Sequence, residues 1–280
     1  MAWRLRIKHR TGYSYAGKVK SSYNEARMTP LTDSTQTTLE SRLEISPPAG
    51  THRYRDYWGT EVTSFDLHTP HSELEVTATS LVETGLRRIV PAGLDWADLR
   101  GERVQDEYAE WLAQTRRTDP DGELADLAAT AAGSLAPSEA AVACLQAIGK
   151  QLEYVPGSTN VRTSGLQAWQ ARTGVCQDFA HISLAMLRSL GIPARYVSGY
   201  LHPRAAAVVG ETVAGQSHAW LEWWDGDWTG YDPTNGKPTG EQHVVVARGR
   251  DYDDVSPLKG IYSGPKSSAL GVRVEVTRLA

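Results

Sequence analysis

Apolar and polar positions alternate with period two through most of the first third of the chain. In residues 3–10, Trp3, Leu5 and Ile7 alternate with Arg4, Arg6 and Lys8, the pattern of a half-buried strand. Its basic outer row reads as a solvated face. Alternation returns over 38–45 through Leu39, Leu43 and Ile45, and over 73–82 through Leu74, Val76 and Ala78. Between them, "RDYWGTEVTSFDL" reads as two strands around a turn at Gly59. Short strands with regular turn signals predict a β-sandwich over residues 1–85.

The period then lengthens. Residues 104–116, 122–132 and 138–152 read as helices, the last with Val142, Leu145, Ile148 and Leu152 at helical spacing. Cys144 lies near that apolar side and reads as a small buried hydrophobe. A further helix within 173–190 leads to strands at 194–201, 217–224, 228–232 and 244–247. A last strand alternates through Val272, Val274 and Val276. The small-residue stretch "AAAVVGETVAG", residues 205–215, reads as an exposed loop.

Composition changes this picture little. The 280 residues are 40% hydrophobic and 22% charged, with a formal charge of −4. A weakly acidic chain offers no global attraction to nucleic acid or to an anionic membrane. Two cysteines, Cys144 and Cys176, are too few for a disulfide framework or a four-thiolate metal site, and leave open a single disulfide. "MAWRLRIKHR" has no apolar signal region, and no run is long enough to span a membrane. A cytoplasmic location is the expectation. Nine tryptophans stand out, four of them between Trp220 and Trp228.

Candidate chemistry starts at "TGVCQDFAHISLAMLRSLGIP". Phe179, Ile182, Met186 and Leu190 lie at i, i+3, i+7 and i+11, and Leu184 and Leu187 widen the apolar face. Gly191 and Pro193 specify the stop. With the start near Thr173–Gly174 and Thr173 as a cap, Cys176 falls in the first turn. Unpaired N–H groups and the helix dipole there favour a thiolate and offer donors to an oxyanion.

A nucleophilic cysteine needs a base, and the base needs an orienting group. His218 opens "HAWLEWWDGDWTGYDPTNG", a hairpin with Asp232 on its return strand. His218, Trp220, Glu222 and Trp224 share one face. With a two-residue loop at 225–226, Ala219 pairs with Asp232, which then faces away from the histidine. With a three-residue loop at 225–227, Trp220 opposes Asp232, which becomes diagonal to His218 on the same face. A His–Asp contact therefore requires a three-residue loop or a bulge. Asp232 also suits an Asx-type turn before Pro233.

"GVCQDFAHISLAMLRSLGIPARYVSGYL", "SHAWLEWW" and "YDPTNG" resemble the three signature blocks of the transglutaminase-like superfamily, in the right order. "LRIKHRTGYSYAGKV" and "RDYWGTEVTSFDLHTPHSELEVTATSLVE" resemble the N-terminal β domain of its bacterial two-domain members, and "GRDYDDVSPLKGIYSG" their C-terminal segment. The resemblance implies an α+β protein. Residues 1–85 would form the N-terminal β-sandwich, 86–135 a helical connector, and 136–280 a papain-like core with a central helix on an antiparallel sheet and the C-terminal strand.

The resemblance also implies that Cys176 is the nucleophile, His218 its base and proton donor, and Asp232 the orienter. The Cys176 N–H would be the oxyanion donor, with Gln177 and Tyr154 as weaker supports. Asp178 and His181 share a helix face, either as polar support for the site or as cap and domain anchor. Trp220 and Trp224 share the face of His218 and are candidate site walls, whereas Trp223 points to the core. No metal or other cofactor is implied. The expected activity is thiol-dependent amide chemistry on a peptide or protein through a thioester, ended by water or by an amine acceptor. The alternatives are an inactive module that binds peptide or protein, and a dedicated step on free short peptides.

Overall fold

The computed structural model describes residues 2–85 and 93–280. The first part of the expected 86–135 connector thus lies outside the described residues. Six strands come first: β1 (Trp3–Val19), β2 (Ser21–Ala26), β3 (Gln36–Ser46), β4 (Thr51–Arg55), β5 (Glu61–Leu67) and β6 (His71–Thr84). Helices α1 (Trp96–Leu99), α2 (Glu102–Glu107), α3 (Ala109–Leu112) and α4 (Gly122–Ala132) follow. Next come α5 (Pro137–Gln151), β7 (Glu153–Tyr154), α6 (Gly165–Ala171), β8 (Thr173–Gly174) and α7 (Cys176–Ser189). The chain ends with β9 (Ala194–Leu201), β10 (Thr212–Trp224), β11 (Trp228–Asp232), β12 (Lys237–Pro238), β13 (His243–Gly249), α8 (Tyr252–Val255), β14 (Leu258–Ser263) and β15 (Ser267–Arg278). Among the described residues no helix is long and apolar enough to cross a membrane.

The period-two segments are strands, but their buried residues are shared between two cores: Trp3, Leu5, Ile7 and Val82 pack into the core that holds α7, and others form the inner layer of a sandwich. Tyr15, Val19, Met28, Phe65, Leu74 and Val76 fill the space between two sheets. One sheet runs β14-β2-β5-β4; the other runs β12-β11-β10-β15-β1-β6-β3, with β9 beside β10 and β13 beside β9. Two apolar positions depart from the expected alternation: Val272 in β15, which is 61% exposed, and Leu39 in β3. The register of β3 against β6 shifts between Thr38 and Glu40, and Leu39 is left 43% exposed. A bulge adds one residue and turns the side chain outward.

The C-terminal strands return to the N-terminal sheets. β14 pairs with β2, and β15 with β1. β10 joins the two halves: Thr212–Gly215 pair with β15, whereas 216–223 pair with β9. The expected loop at 205–215 is thus strand over its last four residues, because β15 offers them an edge. The expected helix at 104–116 is also interrupted, at Tyr108, whose ring stacks on Trp224 with centroids 4.6 Å apart.

α7 lies in the second core. Phe179, Ile182, Leu184, Met186 and Leu187 pack with Leu145, Leu221 and Trp223. Its end is as expected: Gly191 has φ +80, and the N–H of Ile192 donates to the Leu187 carbonyl at 3.0 Å, closing the last turn in a left-handed cap. Its start differs. Thr173 sits in β8, paired with β7, and Val175 is the N-cap residue. Asp178 performs the capping from inside the helix, its Oδ2 accepting from the Val175 N–H at 2.8 Å. Gly174 makes room for this, since a Cβ there would stand 2.8 Å from the Asp178 Cβ.

Candidate active site

Cys176 is the first residue of α7. It is partly exposed, Cys144 is buried and neither is bridged, so the disulfide left open by the sequence is absent. Cys144 is packing: its Sγ lies 3.7 Å from the Ala128 carbonyl, and burial pushes its thiol up to about 12. At the first helical position the Cys176 N–H has no acceptor within the helix.

The β10–β11 hairpin pairs Trp224 with Trp228 and Leu221 with Tyr231, the register of the three-residue loop 225–227. Asp232 therefore falls on the face of His218, and its Oδ2 lies 2.8 Å from His218 Nε2. Asp232 also makes the turn. Its Oδ1 accepts from the Asn235 N–H at 3.1 Å, and its Oδ2 from Asn235 Nδ2 at 2.7 Å. The two readings of this aspartate are compatible because a carboxylate can accept about four hydrogen bonds.

Cys176 and His218 open on one cleft of about 780 Å³, with Gln177 and Tyr196 in its lining. Its opposite wall comes from the N-terminal β domain: His9, Thr11 and Tyr13 of β1 line it, as do residues 256–260. Tyr154 is half exposed beside α7, 6.4 Å from the Phe179 ring.

The tryptophan candidates fall elsewhere. Trp220 is buried with Val197 and Val245, and its ring lies 6.1 Å from His218 and 5.2 Å from His243. It backs the imidazoles and does not wall the cleft. Trp224 stands in a separate aromatic cluster with Tyr108 and Trp228. A shared strand face does not make a shared site, because six residues of strand span about 20 Å.

Residues 5–83 match the bacterial transglutaminase-like N-terminal region, and residues 125–233 match the transglutaminase-like superfamily. This chain belongs to the transglutaminase-like superfamily. It is 48% identical to an uncharacterized protein of Mycobacterium leprae, over 99% of this chain and 100% of that one. An uncharacterized protein of Mycobacterium bovis is 35% identical, over 98% and 92%. In fold it is similar to the crystal structure of a "putative cysteine protease" from Cytophaga hutchinsonii, with a TM-score of 0.79 and 25% identity, over 100% of this chain and 92% of that one. Family and fold neighbour support thiol-dependent chemistry in general.

In this transglutaminase-like protein, burial alone would push His218 down. Its hydrogen bonds to Asp232 and to Cys176 outweigh that and raise it to about 9. For Asp232 burial pushes up, but the bonds from His218 and His243 hold the carboxyl far below its ordinary range. Burial raises Asp178 against its bonds from Thr159 and the Val175 N–H. Of the roles open to Asp178 and His181, the geometry gives Asp178 the helix cap, whereas His181 makes its contact within the core and not to the N-terminal β domain. His181 Nε2 accepts from the Tyr252 N–H at 3.2 Å, tying α7 to α8, and burial lowers it to about 3.

Sequence reasoning passed over several residues here. His243 Nε2 lies 3.2 Å from Asp232 Oδ2. His9 points Nδ1 at the Tyr200 hydroxyl, 3.0 Å away, and its buried Nε2 has no partner. Asn235 sits inside "YDPTNG", where the motif marks it as a turn residue. His9, Tyr196 and His243 lie in ordinary strand patterns, and no local spacing singles them out.

Proposed function

We propose that this protein carries out thiol-dependent amide chemistry on a peptide or protein, with Cys176 as nucleophile, His218 as base and proton donor, and Asp232 as orienter. The observation that carries this is the His218–Asp232 contact of 2.8 Å beside a cysteine at a helix N-terminus. Asp232 holds Nε2, so Nδ1 is the nitrogen left for the thiol. The Cys176 sulfur attacks the amide carbonyl carbon, and the Cys176 N–H and helix dipole stabilise the oxyanion. His218 delivers its proton to the leaving amine, which departs and leaves a thioester. Water, activated by His218, then releases the acid; an amine in its place gives a new amide. Hydrolysis is the reading we favour, because water needs no second binding site. The fold neighbour named as a putative cysteine protease is consistent with it.

The test is site-resolved alkylation of the native protein by iodoacetamide across pH, read by mass spectrometry with Cys144 as internal control. Cys176 is expected to react at pH 6 while Cys144 stays inert. His218→Ala should slow Cys176 at that pH by about tenfold or more, since a thiolate loses its neighbouring cation. Equal rates in wild type and variant would count against catalysis and favour a binding module.

A further inference from the structure

His243 opens β13, eleven residues beyond Asp232, and is buried. Its protonation state follows from its partners. The Gly240 N–H donates to Nδ1 at 3.2 Å, so Nδ1 must carry a lone pair. The ring proton then sits on Nε2 and points to Asp232 Oδ2, 3.2 Å away. Asp232 Oδ2 thus takes donors from two imidazoles, with His218 at 2.8 Å. We propose that His243 is a positioning residue: as a neutral donor of fixed tautomer, it holds the Asp232 carboxylate in place and draws charge from it, and so sets the pH at which His218 gives up its proton.

The surroundings favour this role. Burial lowers His243, which keeps the ring neutral. The Trp220 ring meets it edge-on at 5.2 Å, restricting rotation. The charged and titratable groups facing this unit are few. His218 and Cys176 lie on one side, Tyr231 adjoins Asp232, and Lys237 bonds Gln242. Glu222, which shares a small cavity with His243, is ion-paired with Arg195 and Arg248. Among these groups, Asp232 is where the two histidines meet.

The proposal rests on the catalytic reading of Cys176 and His218, but its test is separate. In the full-length chain with ¹⁵N-labelled histidine rings, His243 should show protonated Nε2 and unprotonated Nδ1 at neutral pH; the opposite tautomer overturns the proposal without any variant. His243→Leu keeps bulk and removes the donor. Asp232 then leans more on His218, whose NMR titration midpoint should rise by about one pH unit, the size of one hydrogen bond to a charged acceptor. His243→Gln, which restores a donor, should bring the midpoint back. An unmoved midpoint in a folded Leu variant, or Gln behaving like Leu, overturns the proposal. Alkylation of Cys176 reports on the catalytic reading and the His218 titration on His243, so the two fail independently.

Discussion

Five buried histidines with shifted titration shape how this molecule responds to pH, and they act in two directions. Burial lowers His9 to about 4, His181 to about 3, and His202 and His243 as well. In the unfolded chain each titrates near about 6.5. As the pH falls below that value, the unfolded state binds protons that the folded state refuses. Stability should drop by up to about 1.4 kcal/mol per pH unit for each such histidine. His218 is raised to about 9, so its contribution is complete below about 6.5 and is lost as the pH rises through its folded value. Urea midpoints between about pH 4 and pH 10 should therefore fall steeply on the acid side and more gently on the alkaline side. A flat acid limb would mean that these imidazoles reach water. Of the five, His218 was recognisable from sequence because a cysteine block and an aspartate accompany it. His9 was not, because its partner Tyr200 lies 191 residues away; His243 was not, because β13 reaches Asp232, eleven residues back, only by pairing with β9.

At the scale of elements, the hairpin loop determines whether His218 and Asp232 meet. Strand side chains alternate faces, so a one-residue change in loop length turns the whole return strand over. Replacing 225–227 by a two-residue Asn-Gly turn should leave a folded protein by circular dichroism with Asp232 facing away from His218. The NMR titration midpoint of His218 should then fall below its wild-type position of about 9, since the bond to Asp232 that offsets its burial is gone. The sequence narrowed the loop to two lengths; packing chose between them, since the buried Asp225 holds the longer loop against the core. The start of α7 teaches the reverse. Thr173 is the better capping residue by type, but its backbone is committed to β7, and Asp178 caps in its place.

Across the whole molecule, the transglutaminase-like core and the β-sandwich are bound by buried polar contacts. Arg248 of β13 reaches Asp33, in the segment before β3, at 2.8 Å, and Glu222 of β10 at 3.0 Å. The Gln36 side chain both donates to the Val245 carbonyl and accepts from its N–H, each at 2.8 Å. Arg248→Ala removes the cation between two largely buried carboxylates and should cost about 3 kcal/mol in urea unfolding. A cost near zero would show that solvent already reaches the network. The sequence by itself determined what neighbours along the chain decide: alternation gave the strands of the sandwich, helical spacing and Gly191 gave α7, and the order of Cys176, His218 and Asp232 marked the site. Tertiary structure alone decided what lies across the cleft from Cys176 and behind the His218–Asp232 contact. β1 supplies His9 because β15 returns to pair with it, and β13 supplies His243 because it pairs with β9. Such pairings depend on which strand edges meet after long excursions of chain, and no local period encodes them.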